Sequence, residues 1–258
     1  MKAQPADNSG EIGQQRQDSE WATRVDLAAC FRLLDLYGWS DLTSTHASAR
    51  LPDEDGVFLI NPYPLFFAQT CASDLVKVGF DGTLLSDAEL GTNPAGINIH
   101  SAIHRARPDV HCVIHTHTVA GMAVSALDCG LLPMTQHALW FHGRLGYHDY
   151  EGVADDVAEQ ERLVRDLGQN NALILRNHGL LTAAGSIPDT FKMMHYLEKS
   201  CQSQLAALAA VGEAGIHLPS TEVCDHTAAQ YENYPDLGTG DWPGHLQQLD
   251  ALDPSYRS

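Results

Sequence analysis

Apolar residues recur at helical spacing through residues 20–37, at Val25, Leu27, Ala28, Phe31, Leu34 and Leu36, and Gly38 closes the run as a helix stop. Short apolar segments of strand length follow at 46–51, 57–60 and 75–78, divided by the turn formers Pro52-Asp53-Glu54-Asp55-Gly56 and Asp81-Gly82. Helical spacing returns from Pro94 or Ala95 to Arg105, with proline at the start and Arg107-Pro108-Asp109 after the end. The pattern then predicts a strand at 110–115, a helix of small residues near 119–127 and a charged amphipathic helix at 152–167. A strand at 172–176 and a long helix from 188 to about 210 complete it. Strands and helices alternate without a strict βαβ rhythm. That predicts an α/β fold in a single domain, its central mixed or antiparallel sheet flanked by helices on both faces. Residues 1–19 are polar and aperiodic and read as a disordered leader, and 20–212 read as the domain. Residues 213–258 form a tail expected to pack on the domain or on a neighbouring subunit. Within it 217–244 is rich in turn formers, and only 245–252 looks helical.

Composition narrows what such a fold does. A chain of 258 residues, 44% hydrophobic, builds its core without staples. Its 33 acidic against 15 basic residues give a net charge of −18, which sets it against nucleic acid and anionic membrane surfaces. Plain solubility accounts for much of that charge. Six cysteines form no C-x-x-C, and Cys30, Cys112 and Cys201 fall in apolar patterns as buried thiols, which suits a reducing compartment. The leader has no apolar stretch of the kind a secretory signal needs, and no run reaches membrane-spanning length, so the cytoplasm is the expected location.

The chemistry concentrates in histidines. His115-Thr116-His117 ends one apolar run, and Asn177-His178-Gly179 follows the run Ala172-Leu173-Ile174-Leu175. Residues i and i+2 of a strand share a face, so His115 and His117 present two imidazoles side by side. Three neutral imidazoles converging on one point suit a divalent ion that keeps an open position. Chance competes with this reading. With 14 histidines, roughly one His-x-His pair arises at random, and Asn-His-Gly is commonly a solvated turn. The position of each histidine at a strand end, where α/β folds place their sites, favours the ligand reading.

The stretch from Arg107 to His117, and Leu173-Ile174-Leu175-Arg176-Asn177-His178-Gly179-Leu180-Leu181, resemble the two metal-ligand signatures of the class II aldolase/adducin family. The adducin-head subgroup is the nearer resemblance, through Tyr37-Gly38-Trp39-Ser40, Asn93-Pro94-Ala95-Gly96-Ile97-Asn98-Ile99-His100, Cys129-Gly130-Leu131-Leu132-Pro133 and Gly146-Tyr147-His148-Asp149-Tyr150. The resemblance covers roughly 20–210 and implies a class II aldolase-like fold. It further implies a zinc-type ion held by His115, His117 and His178, with manganese or iron as alternatives. It also implies ring-shaped homotetramers with active sites at subunit interfaces.

The departures bear on the reaction. Sugar-phosphate aldolases of this family carry a catalytic glutamate four residues before the helix histidine matching His100, and here that position is Gly96. Their phosphate cradle corresponds here to Thr45-His46 and Pro94-Ala95, and Pro94 has no N–H to offer. The expected substrate is therefore a small carbonyl or carboxylate compound without phosphate. Candidate proton donors in place of the glutamate are His142, Tyr147 and His148, with Tyr231 or Tyr234 reaching in from the tail. Each is equally read as an ordinary packed or surface side chain. His46, Asn61 and Arg176 are candidate substrate contacts, with Arg176 alternatively paired to Glu198. His100 is expected to support a ligand from behind.

Three functions are consistent with these residues. The leading one is a metal-dependent lyase, by aldol cleavage or decarboxylation, both of which need an enolate stabilised. A non-heme iron oxygenase would use the same three histidines. A non-catalytic, adducin-like oligomerisation module would keep the fold alone, although the chain lacks the long basic tail of such scaffolds.

Overall fold

A computed structural model describes residues 9–85, 91–152, 158–234 and 237–258. Among them seven strands pair into one sheet: β1 (His46–Arg50), β2 (Val57–Ile60), β3 (Val76–Gly79), β4 (Cys112–Thr116), β5 (Leu145–His148), β6 (Ala172–Leu175) and β7 (Gly179–Ala184). The spatial order is β3-β2-β1-β4-β7-β6-β5. Neighbours run antiparallel except β5 and β6, so the sheet is mixed.

Helices cover both faces, and strand alternation divides the core between them. Ala47 and Ala49 of β1, Cys112 and Ile114 of β4 and Ala172 and Ile174 of β6 pack with one layer. That layer holds α1 (Ser9–Leu36), α3 (Val119–Ser125), α6 (Ile187–Val211) and α8 (Trp242–Leu252). Val113 of β4, Leu173 of β6 and Leu181 of β7 turn the other way, onto α2 (Pro94–Ala106) and α5 (Glu159–Leu167). His46 and Ser48 of β1 and His115 of β4 continue this second face, towards α2. The smaller helix α4 (Gln136–Leu139) lies against α6 and against α7 (Thr221–Glu232).

Several elements depart from the hydropathy reading. The first helix begins at Ser9, inside the stretch expected as a disordered leader. Its residues 14–18 are exposed, and Gln, Arg and Asp there extend a helix nucleated by the packed segment behind them. Strand β7, Gly-Leu-Leu-Thr-Ala-Ala, carries no alternating pattern because both its faces are buried. In the region expected to be turns, α7 starts at a serine cap whose side chain accepts from Val223 N. Of the helix expected at 152–167, residues 153–157 lie outside the described residues, and α5 begins at Glu159.

The tail packs on the domain's first helix. Tyr256 is fully buried, Trp242 Nε1 donates to Asp26 at 2.9 Å, and Arg32 reaches Asp253 at 3.2 Å. The six cysteines, all among the described residues, are free, and Cys30, Cys112, Cys201 and Cys224 are buried. No helix among the described residues is long and apolar enough to cross a membrane.

Candidate metal centre

The three signature histidines meet at one end of the central strands. His115 is the fourth residue of β4, His117 follows the strand, and His178 sits in the three-residue connection between β6 and β7. Asn177 adopts φ 56° there, a left-handed conformation asparagine tolerates better than most residues. Gly179 then brings β7 against β4 so closely that a Cβ would stand 2.4 Å from the Thr116 carbonyl oxygen. After His117 the chain turns into α3, whose cap Thr118 accepts from Gly121 N.

The ligand atoms of His115, His117 and His178 lie within 4.8 Å of one another. Nε2 of His117 is 2.8 Å from Nε2 of His115 and 2.9 Å from Nε2 of His178. The other nitrogens fix the tautomers. His115 Nδ1 lies 2.9 Å from the Leu180 carbonyl, which can only accept, so this nitrogen carries the hydrogen. His117 Nδ1 likewise faces the Asp41 carboxylate at 3.0 Å. Both Nε2 atoms therefore present lone pairs towards each other, an arrangement relieved by a cation between them. Burial, then neighbouring histidines, hold His115 well below the ordinary imidazole range, and burial brings His178 down to about 4. The neutral form a metal requires is thus the resting form at neutral pH. The donor set fits a divalent ion.

Asp41 escaped the sequence reading because it lies in a loop far from the histidine motifs. Its role makes a prediction: Asp41→Asn should weaken zinc binding ~10-fold, the lower end of what loss of an orienting carboxylate costs, since Asp41 is partly exposed. Competition with a chromophoric chelator measures it, and an unchanged affinity would show that Asp41 does not orient His117.

The candidate proton donors are spread out. His142 pairs with Asp225 at 3.1 Å, near α7. Tyr147 accepts from Leu131 N at 3.0 Å under the Arg176 guanidinium, which lies 4.4 Å above its ring. Tyr231 stacks on Trp140, and Tyr234 is exposed beside it. His148 shares a small cleft with His178, Tyr150 and Arg176, but carboxylates engage both its nitrogens, Asp166 at 2.8 Å and Glu159 at 3.3 Å. Tyr150, partly exposed with its ring centre 6.4 Å from that of His178, is a further neighbour. Arg176 does not pair with Glu198. It donates to the Leu127 carbonyl at 2.6 Å, whereas Glu198 binds Thr118 and Gln202. Asn61 follows β2, and its buried Oδ1 has no hydrogen-bond partner among the described residues.

His46 and His100 are drawn directly to the centre. In the β1–β4 register His46 stands opposite His115, and their ring centres are 5.0 Å apart. Nδ1 of His46 is 2.7 Å from Nε2 of His100. His100 Nδ1 makes a short hydrogen bond with Ser48 Oγ, which is also 2.8 Å from His104 Nε2. Spacing explains the array: 46 and 48 share a strand face, and 96, 100 and 104 share a helix face. Residues Ser48 and His104 were missed, though these two periodicities were present to be matched.

Comparison with known proteins gives a consistent answer. Residues 25–205 match the model of the Class II Aldolase and Adducin N-terminal domain. A protein of Pseudomonas aeruginosa, provisionally named an aldolase class 2 protein, is 47% identical over 257 residues, covering 98% of this chain and 97% of that one. Rat alpha-adducin is 44% identical over 192 residues, 73% of this chain but 26% of its own length. Among solved structures, an aldolase II superfamily protein from Pseudomonas syringae superposes with a TM-score of 0.89 at 46% identity, covering 93% of this chain and 96% of that one. An L-fuculose 1-phosphate aldolase from Glaciozyma antarctica superposes with a TM-score of 0.82 at 28% identity, covering 100% and 97%.

Proposed function

The chain belongs to the class II aldolase and adducin N-terminal domain family, and from that premise we propose that it is a metal-dependent carbon–carbon lyase. Its substrate is a small carbonyl or carboxylate compound without phosphate, and the reaction is aldol cleavage or decarboxylation. The observation that carries the reading is the convergence of His115, His117 and His178, with tautomers set by the Leu180 carbonyl and Asp41. These histidines would hold zinc, or manganese or iron in its place. A divalent ion on three neutral ligands keeps its full charge and would draw electron density from a substrate oxygen, favouring carbanion formation beside it. The chain's own residues do the rest: Asp41 orients His117, the β6–β7 connection holds His178, and His46 lines the approach. Gly96 supplies no carboxylate, which argues against the glutamate-assisted route, and Pro94 offers no N–H to a phosphate. The working form is a homotetramer in the cytoplasm.

A second reading has its own support. Likeness to adducin, together with glycine at position 96, suits a fold kept for assembly alone. One experiment separates the two. Elemental analysis of the purified protein should find about one divalent ion per chain, and none in the double variant His115→Ala/His178→Ala. The loaded protein should cleave or decarboxylate members of a hydroxy- and keto-acid panel. An oligomer that binds no metal would refute the lyase and favour the scaffold, whereas bound iron with oxygen consumption would favour an oxygenase.

A further inference from the structure

Behind the metal centre lies a group of polar side chains that the three-histidine site does not account for. His46, Ser48, His100 and His104 are 2%, 0%, 0% and 1% exposed, and they link end to end: His46 to His100, His100 to Ser48, Ser48 to His104. Burying this many hydrogen-bonding groups is costly unless each bond is made, and such an array has value chiefly through what it positions. One end points into the site. With Nδ1 of His46 engaged by His100, the opposite edge of the ring lies against Gly96. A Cβ on that glycine would stand 2.8 Å from His46 Cδ2 and 3.3 Å from His46 Nε2. The imidazole therefore fills the space into which a side chain at position 96 would project, and its ring centre lies 5.0 Å from that of His115.

The links constrain the hydrogens. Each bond holds one hydrogen, so the neutral array has two self-consistent arrangements. In one, His46 carries its hydrogen on Nδ1 and offers a lone pair at Nε2. In the other, every hydrogen is shifted by one link and Nε2 is a donor. Ser48 can donate to one histidine while accepting from the other, so it couples the two ends.

We propose that His46 is the side chain that meets the substrate where a residue at position 96 would otherwise do so, and that His100, Ser48 and His104 are positioning residues that select its tautomer. This rests on the lyase reading for the substrate's presence, but the ladder itself does not depend on it. The group recognised would be an uncharged or enolic oxygen next to the one bound by metal, as in a small hydroxy-carbonyl or hydroxy-acid. With its hydrogen on Nδ1, the imidazole accepts from such a hydroxyl through the Nε2 lone pair and has no hydrogen to give a charged phosphate oxygen.

The test uses full-length protein with 15N-labelled histidine at one pH, with His46 identified by the resonances lost in His46→Asn. In the metal-free protein the two His46 nitrogens should give widely separated shifts, one bearing hydrogen and one a lone pair. In Ser48→Ala they should move towards each other as the tautomers mix, and Ser48→Thr, which keeps the hydroxyl, should restore the separation. Equal shifts in the parent and in a folded Ser48→Ala protein would overturn the positioning role. If Ser48→Ala does not fold, His104→Gln supplies the same comparison from the far end. In zinc-loaded protein, glycolate should shift His46 Nε2 in the parent, and an unmoved resonance would overturn the substrate contact. Failure to take up zinc would instead be seen by elemental analysis and would count against the lyase reading, leaving the metal-free comparison to decide the ladder.

Discussion

Replacing Gly96 by alanine is expected to destabilise the protein when His46 is present and to stabilise it when His46 has been cut back to alanine. Gly96 lies in the first turn of α2, where a helix interior ordinarily favours alanine over glycine by ~1 kcal/mol. Against this stands the His46 ring, whose Cδ2 would be 2.8 Å and Cγ 3.0 Å from the new Cβ. The ring cannot move freely, because Nδ1 is tied to His100 and the strand is paired with β4. Overpacking of this kind costs about 1–3 kcal/mol, so after the helix gain the single change should be unfavourable by up to about 2 kcal/mol. In the His46→Ala background only the helix gain remains. The coupling between the two sites should therefore equal the overpacking cost, on the order of 1–3 kcal/mol, read from urea denaturation of the parent, both single variants and the double variant. Additive effects within ~0.5 kcal/mol would mean that the ring yields, and that the space at position 96 is not reserved for it. The same reasoning bears on the absent glutamate: Gly96→Glu alone would meet the same ring, so a carboxylate can be introduced at position 96 only together with a smaller residue at 46.

This coupling also marks where the sequence could be read and where it could not. The cluster of His115, His117 and His178 was legible because its geometry is local. His115 and His117 are two apart at the end of a strand, and His178 follows another strand, so each motif announces its own orientation. The central helices were legible for the same reason, through spacing and terminal residues. Strand β7 was not, because a strand buried on both faces has no polar positions to alternate with. Nor was α7, whose sparse apolar residues and turn-forming flanks mask a helix that packs only along one side. His46 opposite His115 depends on the register between β1 and β4, which is set by pairing over a long sequence separation. The contact of Asp41 with His117 is non-local in the same way. Resemblance to a family identified Gly96 as a departure, but only the packing showed which side chain takes up the room.

In metal-stripped protein, stability is expected to fall steeply between pH 7 and pH 5, before most carboxylates titrate. Burial holds His46 and His100 well below the ordinary imidazole range, and brings His104 down to about 3 with the nearby Arg50 cation acting in the same direction. The groups facing His104 are His100 on its own helix, Ser48 and Arg50 on β1, the rings of Phe58 and Phe80, the charge of His111, and the Val110 backbone, which alone favours the charged form and is outweighed by burial. No carboxylate is among these neighbours to stabilise an imidazolium. The unfolded chain binds protons at these histidines near pH 6.5, whereas the folded chain stays neutral there. Protons therefore favour the unfolded state as pH drops through 6.5, and the loss continues until the folded pKa is reached. Each such histidine contributes about 2 kcal/mol of destabilisation between pH 7.5 and 5, so the three together amount to roughly 6 kcal/mol. That is comparable with the whole stability of many domains, ~5–15 kcal/mol, and acid unfolding should set in near pH 5. Urea midpoints at stepped pH would show it, and His104→Gln should remove about 2 kcal/mol of the dependence, the share of one buried histidine. A stability that stayed level from pH 7.5 to 5 would mean that the buried histidines take up protons in place, and that the ladder holds charge within the fold.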